Sequence, residues 1–318
     1  MSGNRASPSI VLGDMPHERR SSLSIGGALT LSLLLAACSG GAANPSPDAS
    51  GGTGSPTAVP TTAGEDVLDH ETGATDVLLR YEESGGFVMP SFAVTMVPHF
   101  TLYGDGTIIF RDPMAAPPEP EGSLFKSGPL KTATLSEEQI QDVLKLALDE
   151  GGLAIAKPEY TNDMIADAST AIFTITAGGQ TKTVNVYALG LDVQDQADAQ
   201  ARAAFAKLAQ TLTSIDKGGL VVATEFEPSA YRGILMESPG LIEPGIRDWP
   251  WQDIEVADFK PDPDPAKLQF PHRVMTPAEI EVLGGQDASG GFQNMLLKTD
   301  DGMTYTFSLR PLLPEEVE

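Results

Sequence analysis

Three times along this chain a short run rich in β-branched and aromatic residues meets a glycine-containing turn and then a second such run. Phe100-Thr-Leu-Tyr103 and Thr107-Ile-Ile-Phe110 flank Gly104-Asp105-Gly106. Ala171–Thr176 and Thr181–Tyr187 flank Gly178-Gly179, and Asn294–Lys298 and Thr304–Ser308 flank Asp300-Asp301-Gly302. A tight reversal needs positive φ, which glycine adopts without steric cost, so Asp-Gly or Gly-Gly between strand-forming runs specifies a hairpin. Hairpins build antiparallel sheets and leave one sheet face to be covered. Val77-Leu-Leu-Arg-Tyr81 reads as a further strand.

Helices are expected to supply that cover. Ser136 followed by Gln139 forms a capping box, with Leu135 and Ile140 placed for a hydrophobic staple. Ile140, Val143, Leu144 and Ala147 make the apolar face of this helix, and Gly151 stops it. A longer helix is read from about Gln194 to Ile215, with Ala201, Phe205, Leu208, Leu212 and Ile215 on one stripe. Thr276-Pro277-Ala278-Glu279 opens a third, short helix. Hairpins interleaved with helices imply an α+β fold with helices packed on one face of antiparallel sheets. Lys217-Gly218-Gly219 is the best internal boundary, giving two related or abutting units at residues 74–218 and 219–318.

The N-terminal part has a different character. Arg19-Arg20 precedes an apolar run, Leu23 to Leu35, which is too short to span a bilayer that requires about 20 such residues. Leu35-Ala36-Ala37-Cys38 follows and resembles the lipobox of bacterial lipoproteins. The resemblance implies cleavage between Ala37 and Cys38, with acyl chains on the Cys38 thiol and often on its new amine. Each buried CH₂ contributes about 0.8 kcal/mol, so two or three chains hold a protein to a membrane where one does not. Residues 1–37 are then a signal peptide, and 38–73 the lipidated cysteine and its tether. Residues 39–65 are almost wholly Gly, Ser, Pro, Ala and Thr, and these 27 residues give a reach of roughly 30 Å at about 5–6 Å × √n. Translation from Met15 would give a more compact signal than translation from Met1, and both starts stay open. The expected place is outside the cytoplasm, on the outer leaflet of the cell membrane or on an outer membrane.

Cys38 is the one cysteine of the chain, so the exported part has no disulfide and must be held by its core. Acidic residues number 44 and basic residues 20. Residues 1–37 hold Asp14 and Glu18 against Arg5, Arg19 and Arg20, which leaves 42 against 17, net −25, after cleavage. That charge repels phosphate backbones, and no nucleic-acid partner is expected.

Within the exported part, Phe100-Thr-Leu-Tyr-Gly-Asp-Gly-Thr107, Leu135-Ser-Glu-Glu-Gln139, Gly178-Gly-Gln-Thr-Lys-Thr-Val184, Tyr187-Ala-Leu-Gly190 and Arg310-Pro-Leu-Leu-Pro-Glu315 occur in order. The set resembles exported bacterial proteins and lipoproteins of uncharacterised function across most of residues 76–315. These motifs are turns, caps and hairpins. They imply architecture and carry no catalytic residue.

Groups able to do chemistry are sparse. His70, His99 and His272 lack metal-ligand spacing and read as surface or strand-edge residues. Ser214-Ile-Asp-Lys217 has acyl-enzyme spacing but closes a helix, where a lysine complements the dipole. Glu82-Glu83 and Asp262-Pro-Asp264 are the visible acidic pairs, the latter in a proline-stiffened loop. No catalytic residue, metal ligand or cofactor is assigned. Arg247-Asp-Trp-Pro-Trp-Gln-Asp253 holds both tryptophans of the chain. Trp249 and Trp251 either plug the core of the second unit or anchor a protein or carbohydrate partner. The expectation is a non-catalytic binding or interaction protein of the envelope. A hydrolase working through carboxylates and a structural accessory of an envelope complex are the alternatives.

Overall fold

The computed structural model describes residues 67–112, 116–191, 198–219, 221–238, 245–284 and 288–317. The fold is α+β, with two antiparallel-dominated sheets. All three hairpins form where the turn chemistry places them. β1 (Val77–Gly85) pairs with β2 (Phe100–Tyr103), which turns into β3 (Thr107–Phe110). β7 (Ser169–Ala177) turns into β8 (Gln180–Tyr187) and lies along the other side of β1. β5 (Lys131–Thr134) and β9 (Thr224–Glu225) extend the sheet beyond β3, and β6 (Glu159–Tyr160) closes its other edge in parallel with β8.

Side chains alternate across this sheet, and both faces are covered. Phe100, Leu102, Ile108 and Phe110 point into the main core, while Tyr103 and Ile109 point into a smaller cluster behind it. Over the main face lie α2 (Glu137–Leu148) and α3 (Ala199–Thr213). The Ser136 capping box is made as expected: Ser136 N donates to Gln139 Oε1 over 2.8 Å, and Gln139 N donates to Ser136 Oγ over 3.3 Å. Ile140, Leu144 and Ala147 of α2 meet Phe205, Leu208 and Leu212 of α3 above Phe173 and Val184. A phenylalanine as fully buried as Phe173 contributes about 1.5–3 kcal/mol. The expected start of the long helix near Gln194 lies outside the described residues; the described helix begins at Ala199. A further helix, α1 (Pro90–Ala93), is a single turn.

The second sheet is ordered β11 (Arg247–Asp248), β13 (Phe292–Lys298), β14 (Thr304–Pro311), β10 (Tyr231–Glu237) and β12 (His272–Met275). Its helix, α4 (Pro277–Glu281), is capped by Thr276, whose Oγ1 accepts from Glu279 N over 3.3 Å. Strands are traded across the 217–219 segment. β4 (Phe125–Lys126) from the first half pairs with β13, and β9 from the second half joins the first sheet. The C-terminal turn, Pro314–Glu316, returns to the first sheet, where Leu313 joins Tyr103 and Ile109 in the smaller cluster. Among the described residues no helix is long and apolar enough to cross a membrane.

Candidate functional site

A cavity of about 520 Å³ lies beside the second sheet. Leu235, Met236 and Glu237 come from the end of β10, and Tyr305 from the start of β14. Val256 and Phe259 come from a short 3₁₀ turn and its exit, and Phe270 and Pro271 from the loop leading into β12. Four chain segments therefore meet at one concavity. Seven of its eight lining residues are apolar or aromatic, and Glu237 carries the one charge. Such walls suit the apolar body of a ligand, with a polar group fixing its orientation.

The tryptophan pair adjoins this cavity through one of its members, Trp249. Trp251 is buried, with its Nε1 donating to Glu279 O over 2.7 Å and its ring 5.4 Å edge-on from Phe307. Trp249 is half-buried, and its Nε1 donates to Ile254 O over 2.7 Å. Its ring stands edge-on to Phe259 at 6.2 Å and to Tyr305 at 6.5 Å. Trp251 is thus part of the second core, while Trp249 touches two rings that form the cavity wall. The Pro250 between them keeps this stretch irregular after the two residues of β11. Trp249 N still donates to Lys298 O over 2.8 Å, which docks the segment on β13.

Phe259, Phe270, Tyr305 and Glu237 are the site residues that sequence reasoning passed over. Their only local signal is alternation: Leu235 and Glu237 share one face of β10, opposite Phe307 and Tyr305 of β14. Tyr305 has its phenol pushed up by burial and by the negative charges of Glu237 and Asp301.

The other expected residues are dispersed. Cys38 and Ala37 lie outside the described residues, as do Met1 and Met15. Lys217 forms an ion pair with Asp112, while Ser214 Oγ donates to Gln210 O over 2.6 Å, so the two are not coupled as nucleophile and base. Asp262 and Asp264 accept from the backbone of their own loop, at 2.9 Å from Asp264 N and 3.0 Å from Ala266 N. His70 and His272 hold backbone carbonyls at 2.7 and 2.9 Å, and His70 also meets Glu137 at 3.1 Å. Among the described residues no group of three or more His, Cys, Asp or Glu side chains is placed to hold a metal ion.

His99 departs from the surface reading. It lies just before β2 with its ring 5.2 Å from Tyr81, and its buried Nδ1 has no hydrogen-bond partner among the described residues. Glu83 is close by and accepts from Tyr81 Oη at 2.8 Å and from Ser169 Oγ at 3.0 Å. Burial pushes the His99 imidazole down, with Glu83 opposing and Arg111 reinforcing the shift. Burial also pushes Arg111 down, to about 10. Ser169 gives its proton to the Glu83 carboxylate, and the group forms a half-buried polar cluster beside Tyr81.

Compared with known proteins, the chain matches no family model, no curated protein and no solved structure.

Proposed function

We propose that this chain is a lipid-anchored protein of the bacterial envelope that binds a small ligand through an apolar group, without catalysing a reaction. The carrying observation is the cavity of about 520 Å³ walled by Phe259, Phe270 and Tyr305 and backed by Trp249. The cationic, apolar and Leu35-Ala36-Ala37-Cys38 segments support the anchor, and the Gly/Ser/Pro/Thr-rich stretch after them supports a domain held off the lipid surface.

Both tryptophans belong to the aromatic cluster beside the cavity, so the intrinsic emission of the protein reports on this region. The test is a titration of the full chain, in a maltoside detergent, with benzyl alcohol and cyclohexanol. The expected result is a saturable change in tryptophan emission that disappears in Val256→Glu, which places a charge in the wall. An unsaturable response, or one of equal size in Val256→Glu, contradicts the reading.

A further inference from the structure

Glu237 faces Tyr305 directly across the β10–β14 pair, at the mouth of the cavity. Its carboxylate is exposed and forms no ion pair or hydrogen bond with another described residue. Every other lysine-, arginine- or carboxylate-bearing side chain is missing from the lining, which consists otherwise of aliphatic and aromatic groups. An apolar cavity that holds only neutral molecules gains nothing from a lone carboxylate at its mouth. An anionic ligand would meet that charge unscreened. A cation would meet the opposite situation: a carboxylate with no competing partner among the described residues, three aromatic side chains in the wall, and a protein with net charge −24 that raises local cation concentration.

We infer that the ligand of this cavity is an organic cation, an ammonium group carried on an apolar body. The apolar body would lie against Leu235, Val256 and Phe259, with the ammonium near Glu237 and the rings of Phe270 and Tyr305. Such rings attract cations through their quadrupole, and the attraction grows as water is excluded. This inference rests on the cavity being the binding seat, as proposed above, and adds the charge of what it takes.

The experiment compares choline with 3,3-dimethylbutan-1-ol, its neutral carbon isostere, against the full chain in maltoside detergent, read by tryptophan emission and calorimetry. Choline is expected to bind at least about fivefold more tightly than the alcohol. Glu237→Gln, an exposed position that leaves the fold intact, is expected to remove that preference while retaining the binding of the alcohol. Equal affinities for the two molecules in the wild-type chain, or an unchanged preference in Glu237→Gln, overturn the cation inference and leave the cavity as an apolar seat. Binding of neither molecule overturns both.

Discussion

Tyr103 Oη donates a hydrogen bond to Glu315 Oε2 over 2.6 Å, joining the centre of the first sheet to the turn that ends the chain. The same carboxylate forms an ion pair with Arg80, and its neighbour Glu316 pairs with Arg310 and lies 3.9 Å from Arg232 Nη1. Tyr103 is fully buried, and burial together with Glu315 pushes its phenol far up, so it stays a donor throughout the accessible pH range. Tyr103→Phe keeps the ring and deletes the bond. It is expected to lower stability by about 1–2 kcal/mol, because a half-buried carboxylate loses one of its two partners. Urea unfolding of the two proteins measures this, and equal midpoints would show that the contact holds nothing together.

Gly106 is where turn chemistry and packing act on the same atom. Its φ is +86°, and a Cβ built there would stand 2.4 Å from Leu135 O, the residue that leads into α2. Gly106→Ala therefore strains the β2–β3 turn and pushes against the entry of the helix. We expect a loss of more than about 1 kcal/mol, above the strain of the backbone alone. Gly178→Ala is the control. It has φ +58° with nothing within 4 Å of the added methyl, and so it should cost less. Thermal midpoints of both variants test the order.

His99 makes stability depend on pH with a definite sign. The folded protein holds its imidazole below the ordinary value of 6.5, chiefly by burial. In the unfolded chain the group titrates near about 6.5, so below that pH the unfolded state binds a proton that the folded state declines. Stability is therefore unaffected by His99 above pH about 7 and falls as the pH drops through about 6.5, by at most about 1.4 kcal/mol per unit, until the folded histidine also protonates. Unfolding measured at pH 7.5 and 5.5 should show a larger loss for the wild type than for His99→Gln. Equal losses would place the titration elsewhere.

The proposed anchor predicts a particular first peptide. Mass spectrometry of the mature protein extracted from bacterial membranes should find residue 38 at the N-terminus carrying diacylglycerol and acyl mass. Cys38→Ser should leave an unlipidated chain that extracts without detergent. A mature N-terminus elsewhere, or an unmodified Cys38 peptide, would refute the anchor.

What was readable beforehand follows the distance over which each structural decision is made. The β2–β3, β7–β8 and β13–β14 hairpins are decided within about ten residues by Gly106, Gly179 and Gly302, and the α2 and α4 starts within four by Ser136 and Thr276. The register of β10 is not decided locally. Tyr231 pairs with Pro311 on one side and Met275 on the other, and no local pattern singles out these partners. The cavity is hidden for the same reason, because Glu237, Phe259, Phe270 and Tyr305 meet only once β10 and β14 are aligned. Of the site, the Trp249–Trp251 pair alone was conspicuous as a sequence. The Asp262-Pro-Asp264 stretch reads as a solvated, proline-stiffened loop, and the bonds its carboxylates accept from Asp264 N and Ala266 N are found only in the structure.

The cavity beside Trp249 as a binding seat is tested most directly by separating the two indoles. In Trp251→Phe the remaining Trp249 adjoins the wall residues Phe259 and Tyr305; in Trp249→Phe the remaining Trp251 lies against Phe307 in the core. Titration of each variant with choline should shift the emission of Trp249 saturably and leave that of Trp251 nearly unchanged. A response confined to Trp251, or the same response from both indoles, would contradict a ligand seated in this cavity.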